Sequence, residues 1–283
     1  MKRILTLLFS VTACLCLHAQ ADSVKASHYV MRSAMFGVGH NNLFETYLSP
    51  LEYTGAELRF VHEGMRMTRL MNGKVSRQSL FQVQASYTEN ISQTANMYAG
   101  MMQLELMPLP PTKHRIGKQL KLLFGPMIDL NCGVVYNQRN SNNPAQAKAY
   151  GNLGASAMLI YKFQLFQCPF TLRYQANLPL LGLMFSPEYG ESYYEIFSLK
   201  HGGRNVVFTS LHNQPSLRQM LTLDFPIRST VLRTGCLIDI QQAKVNQLKS
   251  HSYSFDFMIG FVRNFQLIRG KRCVSMPEKV TPF

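Results

Sequence analysis

The sequence is short of charge and of long apolar runs. Asp, Glu, Lys and Arg make up 16% of its 283 residues, against about 25% in an ordinary soluble domain. No stretch of about 20 apolar residues exists to form a membrane-spanning helix. Yet 46% of the residues are hydrophobic, which excludes a disordered chain. One architecture satisfies all three facts: a transmembrane β-barrel, whose apolar residues are spread one in two along its strands. Catalytic and metal motifs are also missing. There is no G-x-S-x-G, no P-loop and no G-x-G-x-x-G, and His62-Glu63 is followed by Gly64-Met65-Arg66 with no second histidine for zinc.

Cysteine is scarce in the part of the chain that folds. Of six cysteines, Cys14 and Cys16 lie in the leader, leaving Cys132, Cys168, Cys236 and Cys273. They form no C-x-x-C and are too few for a disulfide scaffold. We read them as unpaired thiols; a Cys168–Cys273 bridge is conceivable only if both sit at one rim.

The first residues give an address. Lys2 and Arg3 precede the apolar run 4–17, and Ala19-Gln20-Ala21 is a small-residue cleavage site ahead of Asp22. This pattern predicts a cleaved signal peptide over 1–21, too short for an anchor. Lipidation at Cys14, after Val11-Thr12-Ala13, is the competing reading, but Leu15-Cys16-Leu17 carries the apolar run past it. We expect a barrel over 22–268 and a periplasmic tail over 269–283.

The rest of the chain alternates with period two, as strands with two unlike faces do. Phe170, Leu172, Tyr174, Ala176, Leu178 and Leu180 oppose Thr171, Arg173, Gln175 and Asn177. Tyr253, Phe255, Phe257, Ile259 and Phe261 oppose Ser254, Asp256, Met258 and Gly260. The same pattern recurs around Phe36, Leu58, Phe81, Tyr98, Leu122, Leu159, Leu221 and Leu232. About ten strands result, with 8–12 compatible with the pattern. Links at 70–74, 166–169 and 226–229 are short, and 107–117 on the same side is longer and proline-rich. The other side carries 41–51, 89–96, 138–150, 183–215 and 244–250. Even strand count, short periplasmic turns and longer external loops are the outer-membrane pattern. A soluble sandwich or lipocalin-like barrel would turn the apolar face inward. Here that face is too rich in Leu, Phe and Tyr for a small interior, and the other carries Gly, Ser and Gln rather than a solvated surface's Lys and Glu.

Three segments carry a family resemblance: His18-Ala19-Gln20-Ala21-Asp22-Ser23, the run 208–217 leading into Leu221-Thr222-Leu223-Asp224-Phe225-Pro226, and Gly260-Phe261-Val262-Arg263-Asn264-Phe265. In these the chain resembles an outer-membrane β-barrel family of Bacteroidetes that has no assigned activity. The resemblance covers most of the mature chain and implies a fold and a location, not a function.

Strand parity sorts the charges. The inward acids are Glu57, Glu63, Glu105, Asp129, Asp224, Asp239 and Asp256; the inward bases are Arg59, Lys121, Lys162, Arg173, Arg218 and Arg233. Ten strands enclose a narrow interior, and buried charges persist only when paired. The expectation is therefore a lumen filled by a balanced ion-pair network, with a narrow channel for small polar solutes as the alternative.

The excess positive charge falls on the periplasmic rim and tail: Arg66, Arg69, Lys74, Arg77, Lys113, Arg115, Lys118, Arg228, Arg263, Arg269, Lys271 and Arg272. Such a rim fits lipid headgroups or an acidic envelope partner; nucleic acid is excluded by the compartment. The external segment 183–215 carries Tyr189, Tyr193, Tyr194 and Phe197, a helix-compatible stretch at 191–199 and Gly202-Gly203. It is expected to cap the mouth or to meet a partner. Ser210, His212 and Asn213 lie beside it, but residues two apart on one chain rarely form a working dyad. Asp239 with His251 is an equally weak pairing. We expect no enzyme activity, no cofactor and no metal; a barrel hydrolase is the remaining alternative.

Overall fold

The computed structural model describes residues 29–68, 75–110, 119–140, 143–165, 168–198, 204–227, 230–268 and 271–275. The expected signal peptide at 1–21 lies outside them. Ten long strands follow one another around a single antiparallel sheet. In the chain's first half these are β1 (Tyr29–Glu45), β2 (Glu52–Met67), β3 (Ser76–Asn90), β4 (Asn96–Leu109) and β5 (Leu120–Asn137). The second half supplies β6 (Ala145–Leu165), β7 (Cys168–Phe185), β9 (Ser216–Ile227), β10 (Thr230–Val245) and β11 (Leu248–Ile268), with a short β8 (Val206–Ser210) between β7 and β9. The sheet closes on itself, because β11 pairs with β1 from Tyr29↔Gln266 to Glu45↔Ser250. Closure removes the free edges that a membrane cannot tolerate.

Alternation decides which face is which. Along β3 every second residue from Ser76 to Asn90 is buried, and the residues between them face out. The outward residues form an apolar belt: Phe36, Leu58, Phe124, Leu153, Phe257 and Phe261 are each more than half exposed. Water would penalise such a belt and lipid does not. No helix among the described residues is long and apolar enough to cross a membrane; the strands do so.

The ten expected strands are all present, but their ends differ from expectation. The external links shrink because the strands extend past the membrane. Expected 41–51 becomes 46–51, 89–96 becomes 91–95, and 138–150 becomes 138–144. Between β10 and β11 the expected loop 244–250 is a two-residue turn, with Asn246 and Gln247 at φ 49° and 64°. Two successive positive φ values are the mark of a type I′ hairpin turn, which matches the twist of the flanking strands.

The segment 183–215 also differs. β7 runs on to Phe185, and β8 pairs with it from Leu181↔Ser210 to Phe185↔Val206. β9 pairs with β7 only as far as Asn177↔Arg218. Between them, residues 211–215 bond to β10 instead: Lys244 N donates to Asn213 O at 2.7 Å and Gln242 N to Pro215 O at 3.2 Å. β8 and β9 are thus two parts of one stave, separated by a bulge. The expected tail likewise contains β12 (Lys271–Ser275), paired to the end of β11.

The interior is not uniformly polar. Met31, Met35, Met65, Met107, Met127, Met158, Met220 and Met258 point inward and are buried with Leu80, Leu123, Ile160 and Leu237. Unbranched methionine fills irregular space well, so the half of the lumen at the end expected to face the periplasm is packed like a protein core. A second apolar cluster, around Leu43, Leu48, Tyr53, Met97 and Val135, closes the external end.

Candidate functional site

Between these apolar layers lies a charged one, in two groups. The first centres on Glu63 of β2, which is fully buried. Arg173 of β7 holds it with two bonds, Nη1 to Oε1 at 2.5 Å and Nη2 to Oε2 at 2.8 Å. Arg233 of β10 donates to Oε2 at 2.5 Å and turns its other edge to Asp224, Nε to Oδ1 and Nη2 to Oδ2, both at 2.6 Å. Gln78 Nε2 adds a bond to Glu63 at 2.6 Å. β2 and β7 are five staves apart in a ring of ten, hence diametrically opposite. The Arg173–Glu63 fork therefore crosses the whole lumen.

The second group joins Arg59 and Arg218. Arg59 Nη2 donates to Glu57 Oε1 at 2.5 Å and Nε to Asp256 Oδ2 at 2.7 Å, with Asp239 at 3.5 Å. Asp256 reaches Arg59 across β1 because Gly39 lies between them. Gly39 is in register with Asp256 on one side and Glu57 on the other. A Cβ there would stand 2.3 Å from Asp256 Oδ1 and 2.1 Å from Phe255 O. Arg218 pairs with Glu105 and, at 2.9 Å, with Asp239. Amides serve three further carboxylate oxygens: Gln103 Nε2 donates to Asp129 Oδ1 at 2.6 Å, Asn152 Nδ2 to Asp129 Oδ2 at 3.1 Å and Asn177 Nδ2 to Glu105 Oε2 at 2.7 Å.

Two of the expected members are elsewhere. Lys121 and Lys162 have the inward parity, but they sit at the periplasmic mouth, half-buried and exposed respectively. Parity fixes which way a side chain faces and not how deep it lies. Without them the buried layer has seven carboxylates facing four guanidiniums, so the expected balance does not hold. The surplus is in the second group, where Glu57 Oε2 and Asp256 Oδ1 have no hydrogen-bond partner. Among the described residues, one cavity under the external mouth beside Glu45, Lys148 and Tyr150 holds about 50 Å³, and one below it beside Asp129 and Arg218 holds about 10 Å³. That is room for a few waters.

A lid covers the mouth. The expected helix at 191–199 is α1 (Tyr193–Ser198). Ser192 and Glu195 cap it reciprocally: Glu195 N donates to Ser192 Oγ at 3.3 Å, and Ser192 N donates to Glu195 Oε2 at 2.7 Å. Tyr193 points down, its hydroxyl accepting from Ala147 N at 2.6 Å. Tyr47, from the 46–51 link, meets it ring to ring and donates to Glu191 O at 2.8 Å. Burial, with Tyr193, Glu191 and Glu195 nearby, pushes the Tyr47 phenol up to about 12. Burial raises Tyr193 as well. On the lid's other side Tyr189, Tyr194 and Phe197 are 72%, 70% and 71% exposed. Of the four aromatics expected on this segment, Tyr193 fastens the lid, while Tyr189, Tyr194 and Phe197 are exposed, Phe197 with its ring stacked on Tyr193.

Of the expected basic rim, Arg69, Lys74, Lys113, Arg115, Lys118, Arg228 and Arg269 lie outside the described residues. Lys271 and Arg272 fall in β12. Ser210 and His212 do meet, with Oγ 2.5 Å from Nδ1 on the exposed bulge. The neighbouring Asn213 is committed to backbone: its Oδ1 accepts from Ser210 N at 2.8 Å and its Nδ2 donates to Phe208 O at 3.1 Å. His251 bonds Asn42 at 3.1 Å rather than Asp239. Among the described residues no group of three or more His, Cys, Asp or Glu is placed to hold a metal.

These features define an outer-membrane-type β-barrel with a packed lumen. The chain belongs to the family described as Protein of unknown function (DUF3316), which matches residues 3–272. No curated protein matches the sequence. Among solved structures, the chain is similar to the transport unit of the autotransporter AIDA-I from Escherichia coli, at 8% identity and TM-score 0.42, covering 89% of this chain and 97% of that one. The outer membrane protease OmpT from Escherichia coli gives 8% identity and TM-score 0.45 over 87% and 99%. Neisserial surface protein A gives 10% and 0.28 over 83% and 96%. All three TM-scores lie below 0.5, so no residue role passes from them to this chain.

Proposed function

We propose that the protein is a closed, non-conducting barrel of a Gram-negative outer membrane, acting without catalysis as a structural or partner-binding member of the envelope. The observation that carries this reading is the Arg173–Glu63–Arg233–Asp224 chain, which ties opposite staves together through the lumen. A transported solute would have to break buried charge pairs, and an unpaired buried charge costs several kcal/mol. Function then falls to the two ends: the lid with its outward aromatics, and the basic periplasmic face. The family resemblance points to a Bacteroidetes envelope, and the signal pattern to export.

The test is co-purification from native envelopes after mild cross-linking. Removing 188–203, or reversing Lys113, Arg115 and Lys118 to Glu, is expected to lose a stoichiometric companion while the barrel stays folded. If both variants keep wild-type companions and wild-type growth, the partner-binding reading fails.

The Ser210–His212 contact favours a second reading, a hydrolase at the external surface. An activated serine needs a base that is itself oriented by a third group, and Asn213 is turned to the backbone instead. Reaction of Ser210 with a fluorophosphonate probe, abolished by His212→Ala, would establish this reading; absence of labelling would dismiss it.

A further inference from the structure

We propose that the outer wall at the periplasmic end holds a site for the phosphate of an anionic phospholipid, formed by Arg32, Arg66, Arg77, Arg263 and His62. The proposal rests on the membrane-spanning reading and not on the closed lumen, so a conducting barrel would leave it standing.

Cross-strand register brings these residues together from four neighbouring strands. Arg32 of β1 lies directly opposite Arg263 of β11. Arg66 of β2 lies directly opposite Arg77 of β3. All four arginines have outward parity and are exposed. Between the two pairs stands Gly64, opposite Arg32 on one side and Ser79 on the other. An added Cβ at Gly64 would meet only Ser79 Oγ, at 3.0 Å, so the centre of the cluster is open. The result is a concavity of about 380 Å³, lined by Arg32, His62, Arg66, Arg77 and Ser79, with no acid among its described lining residues.

Arg66 and Arg77, directly opposite each other, form a like-charged cross-strand pair that is unfavourable by itself. An anion between them reverses the sign, and arginine forks match a phosphate's oxygens in two-bond geometry. The wall above says which anion. One step further into the membrane the same four strands present Phe261, Ala34, His62 and Phe81, and the next step presents Ile259, Phe36, Phe60 and Val83. Phe261, Phe36 and Ile259 are 58%, 67% and 58% exposed. A basic pocket directly below a bare aromatic and aliphatic wall is the profile of a headgroup with its acyl chains. Inorganic phosphate would use only the lower half of it, and an acidic protein would leave the wall to lipid.

The experiment uses the full barrel, refolded into nanodiscs of phosphatidylcholine with increasing phosphatidylglycerol, and counts retained lipid by native mass spectrometry after transfer to detergent. Wild type is expected to retain phosphatidylglycerol over phosphatidylcholine. Arg32→Gln with Arg263→Gln, and Arg66→Gln with Arg77→Gln, are each expected to weaken that preference by about fivefold per arginine removed. Heat-modifiable gel mobility confirms that each variant is folded. Should the variants fail to fold, the wild-type comparison of the two lipids still decides. Equal retention of both lipids by wild type overturns the proposal. Full displacement of phosphatidylglycerol by inorganic phosphate also overturns it, in favour of a free-anion site. Retention of a protein in place of lipid in native preparations overturns it in favour of an acidic partner.

Discussion

Glu63 answers two guanidiniums, and Glu57 shares one with two other carboxylates; the difference sets what each is worth. Replacing Glu63 by Ala leaves Arg173 and Arg233 facing each other without their common anion. Removing one partner of a buried pair costs about 3–5 kcal/mol, and urea titration of refolding into vesicles is expected to show that loss. Glu57→Gln sits where carboxylates are in surplus, and Arg59 keeps Asp256 and Asp239. Its cost is expected near 1 kcal/mol, that of one hydrogen bond, in the same titration. Tyr47 gives a pH signature to the lid. Its phenol is raised from 10.0 to about 12 by burial first and neighbouring charge second. A raised phenol stabilises the neutral folded form. That contribution is complete below the ordinary tyrosine range and is lost as pH rises toward 12. Protease nicking within 186–205 is therefore expected to accelerate between about pH 10 and 12, and Tyr47→Phe to shrink that step, leaving the part that Tyr193 contributes.

The strands themselves were legible because period two is a backbone property: each of the ten follows apolar residues at alternate positions, as from Phe170 to Leu180. Their ends were not, since alternation continues past the membrane into β6 and β11, each 21 residues long. β8 carries no such signal for a related reason. Val206-Val207-Phe208 has no alternation, and its place is fixed by β7's free ladder rather than by its own pattern. Methionine hid the apolar layer, because Met258 and Met127 occupy the inward parity that elsewhere holds Ser, Gln and Asp. The outward arginine cluster depends on cross-strand register, which one sequence does not display. The β10–β11 turn offers a clean test of element-level reasoning. Gln247 holds φ 64°, where glycine is at ease and a side chain is not. Gln247→Gly is expected to stabilise the barrel by up to about 1 kcal/mol, read as a higher urea midpoint. Gly39 is the opposite case. Gly39→Ala would put a Cβ into Asp256 and the β11 backbone, and is expected to lower the yield of heat-modifiable, folded protein sharply.

At the scale of the molecule, three layers fill one tube. Methionine and leucine pack the periplasmic half, charge pairs cross the middle, and an aromatic lid shuts the external end. Each layer alone narrows the lumen, and the staves it ties together differ: Glu63 to Arg173 across the diameter, Glu105 to Arg218 across another chord. The outer surface repeats the layering in reverse, with an apolar belt above a basic periplasmic band. On the proposed reading, function lies at the ends and the wall rather than in the lumen. Single-channel recording of the refolded barrel in a planar bilayer tests that claim most directly. Silence is expected from heat-modifiable protein, with or without residues 188–203, because the charge layer remains closed beneath the lid. Stable conductance steps whose ion selectivity shifts on Arg173→Glu would contradict it and make the lumen a path.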